Sequence, residues 1–390
     1  MTGALGSGGM SVRRLSSVAA ALLSVALVVA APAVASPAPE GHKPCRQDPD
    51  WARTLHSAVV DIDAALDGEL GVFVLDVHTG EWFGWRADEN WYMASVVKIP
   101  IAVQVLRDIQ SGQLAFSTRI ELLPEDFVDG AGQTNWHPPG ARLRVDFLLE
   151  QMLIASDNTA SDVLIRTVGL PRVNALAHEL VAGQGGEITT LADVRRHAYS
   201  GFHPEAQRLR SQDLLAIRQA GFGDPRIERL SQVLGVPRSE FLEYDLDRVF
   251  EAFYETELNA APISAYGRML AAIAQGDALD PTHTRWLLDT MGRVTTGDRR
   301  IKAGLPRRYL FQHKTGTQHR RTCDMGVVTR RDRGAEPAVV VAACTRHVGA
   351  LADSERAFRR LGEAVATSGL LERVWARSEA ADGHSTEEAQ

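Results

Sequence analysis

The hydrophobic period of this chain changes twice, and that double switch limits the folds open to it. Leu70–Val77 (LGVFVLDV) reads as a strand, His78–Glu81 as a turn and Trp82–Arg86 as a second strand, together a hairpin preceded by a helix over Trp51–Leu66. From about Leu114 to Val294 the spacing is mostly helical, as in Asp146–Ala155, Thr159–Thr167 closed by Gly169, and Pro171–Val181 with proline at its start. Strands return just before Lys314, over Met325–Thr329 and over Ala338–Thr345, and a helix from Leu351 to Trp375 follows. This order predicts an α+β fold: the early hairpin and the late strands share one antiparallel sheet flanked by helices, with an all-helical subdomain over about 113–294 on one side. With 390 residues, 45% of them hydrophobic, the chain has enough apolar surface for a large core.

The termini read differently. Arg13 and Arg14 precede an apolar run from Val18 to Ala31, and Ala33-Val34-Ala35 offers a small-residue cleavage site. This is the layout of a signal peptide over residues 1–35, cleaved near Ala35, which predicts an exported protein, periplasmic or secreted. The run is shorter than the roughly 20 residues of a membrane helix, so no stable membrane insertion is expected. Residues 36–50 read as a linker, 51–378 as the folded domain and 379–390 as a disordered tail. A net charge of −7 without a basic block gives nucleic acid no footing as a partner.

Export would allow cysteines to pair. A hairpin turning near Asp332–Gly334 that sets Val327 opposite Val340 also sets Cys323 opposite Cys344 on one face. A bond between them needs the closer spacing of a non-hydrogen-bonded pair, which the sequence leaves open. Cys45 is left over.

The stretch MASVVKIP, residues 93–100, carries the chemistry. Ser95 stands at the head of an apolar helix and Lys98 follows three places on, on the same face. A serine hydroxyl needs a neighbour to take its proton. A lysine desolvated by apolar residues, with a second cation nearby, loses its own proton near neutral pH and can serve. Pro100 lacks an N–H, so the helix should be bent or loosely bonded near Val96. Two more motifs follow in order: Ser156-Asp157-Asn158 and Lys314-Thr315-Gly316-Thr317. A lone Ser-x-x-Lys is commonplace; the three in this order are not. The second motif also reads as a helix start with Asn158 as the cap of Thr159–Thr167.

With these motifs the sequence resembles the class A β-lactamases and their penicillin-binding-protein relatives across most of residues 50–375. The stretches LGVFVLDVHTGEWFGWRADENWYMASVVK, SDNTASDVLIRTVG and TTGDRRIKAGLPRRYLFQHKTGT carry the likeness. The resemblance implies a β-lactamase/transpeptidase-like fold and a serine hydrolase using no cofactor or metal. Its substrate would be a small β-lactam or a peptidoglycan peptide; the oligomeric state is not implied. It also implies the roles. Ser95 would be acylated, Lys98 would be its base and Ser156 would relay a proton to the leaving nitrogen. Asn158 would hold the substrate's amide side chain. Lys314 would attract a substrate carboxylate and help depress Lys98, beside Thr315, Gly316 and Thr317. The N–H groups of Ser95 and Thr317 would form the oxyanion hole, and Gly316 would let the substrate approach the strand. Arg320 or Arg321 would be either a second carboxylate anchor or part of a solvated turn. Alternation puts His313 opposite Lys314.

One departure divides the possible functions. Class A enzymes clear the acyl-enzyme with a glutamate on a loop soon after the second motif, in a Glu-x-Glu-Leu-Asn pattern. Here that region holds only Glu187, Asp193 and Glu205, and a helical insertion follows over about 203–253. The pattern then occurs at Glu255-Thr256-Glu257-Leu258-Asn259, which makes Glu255 the tentative deacylation base. The stripe Leu246, Val249, Phe250, Phe253 places Glu255 on the opposite helix face, so the expectation is a solvated helix end and not a base. Three readings stand: a β-lactam-hydrolysing enzyme, a D,D-peptidase-like or other amide/ester hydrolase with slow deacylation, and a non-catalytic module that binds peptidoglycan or a partner.

Overall fold

A computed structural model describes residues 49–332 and 339–377, all within one compact unit. The expected leader, Cys45, the tail and the hairpin turn beyond Asp332 lie outside the described residues.

The chain opens with helix α1 (Asp50–Ala64), then strands β1 (Glu69–Asp76) and β2 (Trp82–Trp85). A short strand β3 (Asn90–Tyr92) leads into a 3₁₀ turn, Ala94–Val97, and helix α2 (Lys98–Gln110). A two-stranded ribbon, β4 (Arg119–Glu121) and β5 (Arg142–Arg144), precedes helices α3 (Val145–Ile154), α4 (Asn158–Val168) and α5 (Leu170–Leu180). Gly169, at φ 88°, separates α4 from α5, whose second residue is Pro171. Helices α6 (Leu191–Ser200), α7 (Ser211–Gln219), α8 (Asp224–Leu234) and α9 (Leu246–Tyr254) follow. Strand β6 (Ala260–Pro262) pairs back onto β3 before α10 (Ile263–Gln275), α11 (Pro281–Met291) and the single turn α12 (Ile301–Gly304). Strands β7 (Tyr309–Gln318), β8 (Arg321–Arg330) and β9 (Val339–Arg346) then complete the sheet, and α13 (Leu351–Thr367) packs on it.

The five-stranded sheet has the order β2-β1-β9-β8-β7, antiparallel throughout, with β7 at one edge. Its two faces build two cores because side chains alternate along each strand. From β1, Leu70, Val72 and Val74 join α1 and α13 through Leu55, Val59, Phe358 and Leu361. Phe73 and Leu75 face the helical side with α2, α3 and α4. The register sets Val327 opposite Val340 and Cys323 opposite Cys344. The two cysteines lie 4.1 Å apart at Cα and are bonded. That separation is the close spacing of a non-hydrogen-bonded pair, the condition the bond required.

Several expectations need correction. The cap of α4 is Asp157, whose carboxylate accepts from the Ala160 N–H, and Asn158 is already the first helical residue. The region expected to be a loop, residues 185–209, contains α6, so helical structure begins before residue 203. The last helix is broken: α13 stops at Thr367, Gly369 takes φ 86°, and a second segment runs over 370–377. The pairs β3–β6 and β4–β5 were not foreseen, because three residues show no period. Among the described residues no helix is long and apolar enough to cross a membrane.

Candidate active site

Ser95 sits on the 3₁₀ turn where β3 runs into α2. Side chains at i and i+3 nearly eclipse in a 3₁₀ turn, the spacing at which Ser95 and its C-cap Lys98 stand. Pro100 falls in the first turn of α2, where a missing N–H costs little. The turn is held from two sides. The Met93 N–H donates to the Asn259 carbonyl at 2.8 Å, and Ala94, at φ 48°, adopts a left-handed conformation that only surrounding structure can maintain. On the other side lies Gly316 of β7, where a Cβ would stand 2.4 Å from the Met93 carbonyl oxygen. The glycine is therefore needed so that the strand can lie against the Ser95 turn, a different reason from the substrate approach expected of it.

Lys98 is fully buried and donates to the Ser156 carbonyl at 2.6 Å, the Asn158 Oδ1 at 2.8 Å and the Ser156 Oγ at 3.2 Å. Burial pulls its pKa down to about 7; Asp157 and Asp162 act against the shift and the Arg195 guanidinium adds to it. Arg195 is thus a cation acting on Lys98 that the sequence did not announce, and Lys98 and Lys314 repel each other as well. Lys314 is itself fully buried and held well below the ordinary lysine range, by burial first, then by Lys98 and Arg300. Its Nζ donates to the Ser156 Oγ at 2.9 Å. Ser156 therefore bridges the two lysines, on a backbone at φ 61° that is strained for a non-glycine residue. The Asn158 side chain is already engaged at both ends, its Nδ2 donating to the Asp129 carbonyl at 2.7 Å while its Oδ1 accepts from Lys98. It orients the lysine before it can hold any substrate amide.

These groups open onto a cleft of about 820 Å³ whose lining includes Ser95, Ser156, Asn158, Thr315 and Thr317. Three arginines that the sequence reading missed also line it: Arg195 from α6, Arg218 from α7 and Arg300. Arg300 is buried and donates to the Thr317 Oγ1 at 2.6 Å and to the carbonyls of Gly316 and Cys323. Arg320 and Arg321, expected as possible anchors, instead pair with Asp247 and Glu251 outside this cleft. Two carboxylates line the cleft, each beside an arginine: Asp129 bonds Arg195 at 2.8 Å and lies 3.6 Å from Arg218, while Glu355 stands 3.9 Å from the Arg300 Nε without a hydrogen bond.

Among the described residues no other acid lines it. Glu255 is the exposed C-cap of α9 and belongs to a separate pocket with Tyr254 and His347, so its tentative place in the site is withdrawn. Glu187 is exposed beside His178, Asp193 pairs with Arg196 and Glu205 with Arg208. Asp162 is buried, its two oxygens accepting from the Leu191 and Ala192 N–H groups; burial pushes it up to about 7. It pins the start of α6. His313 points away from Lys314, as alternation requires, and its Nδ1 lies 2.7 Å from the Asp324 Oδ1. Among the described residues no group of three or more His, Cys, Asp or Glu side chains is placed to hold a metal ion.

Comparison with known proteins agrees with this geometry. The model of the beta-lactamase enzyme family matches residues 54–368. A beta-lactamase of Streptomyces albus G is 28% identical over 353 residues, spanning 88% of this chain and 94% of that protein. Among solved structures, a beta-lactamase from Xanthomonas campestris superposes with a TM-score of 0.60 at 20% identity, covering 82% of this chain and 98% of that one. The acyl-enzyme complex of a PBP-A mutant with penicillin G gives 0.59 at 18% identity, covering 81% and 96%. These likenesses show a β-lactamase/transpeptidase-like α+β fold.

Proposed function

Because the chain belongs to the beta-lactamase enzyme family, we propose that it acts as a serine hydrolase, opening β-lactam amides through an acyl-enzyme on Ser95 that it clears slowly. The observation that carries this reading is the buried Lys98, pulled down to about 7, beside a cleft whose two carboxylates each face an arginine.

In its neutral form Lys98 gives its two hydrogens to the carbonyl oxygens of Ser156 and Asn158, which leaves one lone pair as a base. It takes the Ser95 hydroxyl proton as Oγ attacks the carbonyl carbon. The N–H groups of Ser95 and Thr317 receive the oxyanion, and the positive N-terminal end of α2 favours it. As the C–N bond breaks, the Ser156 hydroxyl gives its proton to the leaving nitrogen and regains one from Lys98, 3.2 Å away. Arg300 supplies positive charge for the substrate's carboxylate, with Lys314, Thr315 and Thr317 beside it as hydrogen-bond donors. Hydrolysis of the ester then needs an activated water. With each cleft carboxylate made less basic by an arginine beside it, Lys98 is the proposed base for this step too, and the reaction resembles that of a penicillin-binding protein more than that of a fast β-lactamase. A PBP-A mutant captured as an acyl-enzyme with penicillin G supports the comparison.

The residues 1–35 would direct export, and the Cys323–Cys344 bond supports an oxidising compartment. Sequencing the N-terminus of the mature protein tests this: a start near residue 36 agrees and an intact leader does not. The catalytic reading is tested by intact mass measurement after exposure to penicillin G. The wild type should gain one penicillin mass and Ser95→Ala none; an adduct of equal yield on the variant would refute it.

A further inference from the structure

The helical insertion adds a second cavity, of about 320 Å³, beyond the Ser95 cleft. Asp129, Arg195, Arg218 and Thr317 line both, so the two are continuous past the end of β7 toward His319. Its wall carries three guanidiniums, Arg195, Arg218 and Arg226, and Asp129 is the one carboxylate among its lining residues. Asp129 is spent on Arg195 and Arg218. Among the described residues Arg226 makes no ion pair with a carboxylate. It is 7% exposed, its Nε donates to the Gly221 carbonyl at 2.7 Å, and its Nη2 is buried without a hydrogen-bond partner. Burial holds its pKa below the ordinary arginine value; Tyr199 and Asp129 act against the shift, and Arg218 and Arg195 add to it.

Excess buried positive charge is costly unless something negative meets it. Phe222 marks where it would enter. It stands 69% exposed between two glycines at positive φ, with Arg218 and Arg226 stacked 4.8 and 4.4 Å from its ring centre. The ring covers the arginines without neutralising them.

We infer that this cavity is a subsite for a second anionic group, a carboxylate on the acyl side chain of the substrate, distinct from the carboxylate held at Lys314 and Thr315. The preferred acyl donors are dianions, anchored at both ends of the cleft. This inference rests on Ser95 acylation for its role in turnover, but the anion site itself does not.

Two measurements separate those claims. In ligand-observed NMR titration, which needs no acylation, phenylmalonate should bind the wild type about tenfold more tightly than phenylacetate, the gain of one charge-assisted contact. Arg226→Met should bring the two acids within about twofold of each other, and Arg226→Lys should keep most of the margin. If the Met variant does not fold, Arg218→Gln, whose side chain is 44% exposed, serves instead. Equal binding of the two acids by the wild type overturns the inference. In acylation kinetics, carbenicillin should outpace benzylpenicillin, the same molecule without the extra carboxylate, and only carbenicillin should slow in Arg226→Met. Acylation at rates indifferent to that carboxylate overturns the inference and leaves the serine mechanism standing. Failure of both penicillins to acylate overturns the serine mechanism, and the titration still decides the anion site.

Discussion

In the proposed mechanism Lys98 is the residue on which the chemistry turns. Its partners are two carbonyl oxygens and a hydroxyl, with no carboxylate in direct contact, so nothing nearby repays the full cost of burying a charge. The sign of the pH dependence follows. A pKa lowered to about 7 means the base is protonated and idle below that pH and available above it. Acylation should rise with pH, about tenfold per unit below 7, and level off above it; stopped-flow rates across pH 5.5–8.5 check this, and a flat profile would contradict it. Lys98→Ala should slow acylation by about 10²–10⁴-fold. The Ser95–Lys98 pair was legible because three residues suffice to bring both onto one face. Arg195 and Arg300 were not, since each reaches the cleft through folding that no local spacing announces.

At the scale of elements, the site depends on β7 lying against the Ser95 turn. Gly316→Ala would drive a methyl into the Met93 carbonyl, 2.4 Å from an ideal Cβ, and separate strand from turn. A misplacement of about 1 Å costs roughly 10²-fold in rate, so acylation should fall by that order while circular dichroism stays native. The hairpin β8–β9 carries the Cys323–Cys344 bond behind this edge. The bond restrains the unfolded chain over 21 residues of separation, so Cys323→Ser with Cys344→Ser should lose about 3 kcal/mol in guanidinium titration. The register was readable because period-2 strands allow few alignments that keep both faces buried. The Asp157 cap was misplaced by one residue because Asp and Asn cap equally well and only the observed hydrogen bond separates them.

For the whole molecule, the helical stretch between α5 and β6, the insertion over about 203–253 together with α6 before it, shapes the cleft. Its helices bring Arg195 and Arg218 to the cleft and leave Glu255 on a solvated helix end. The Glu-x-Glu-Leu-Asn match is therefore a likeness of letters without the position, and the helical stripe over Leu246–Phe253 was the better guide. Glu255→Gln should leave the deacylation rate unchanged in single-turnover kinetics. The sheet and its flanking helices could be read from periodicity; the cationic wall could not, because the insertion's arginines look like any solvated helix surface until the fold turns them inward. The most direct test of the central claim is the lifetime of the acyl-enzyme. Protein acylated with penicillin G, freed of excess drug and followed by intact mass, should keep its adduct on the peptide containing Ser95 for minutes or longer. Loss of the adduct within the dead time, with hydrolysed penicillin accumulating, would mean that the cleft holds an efficient water-activating base and would contradict the account.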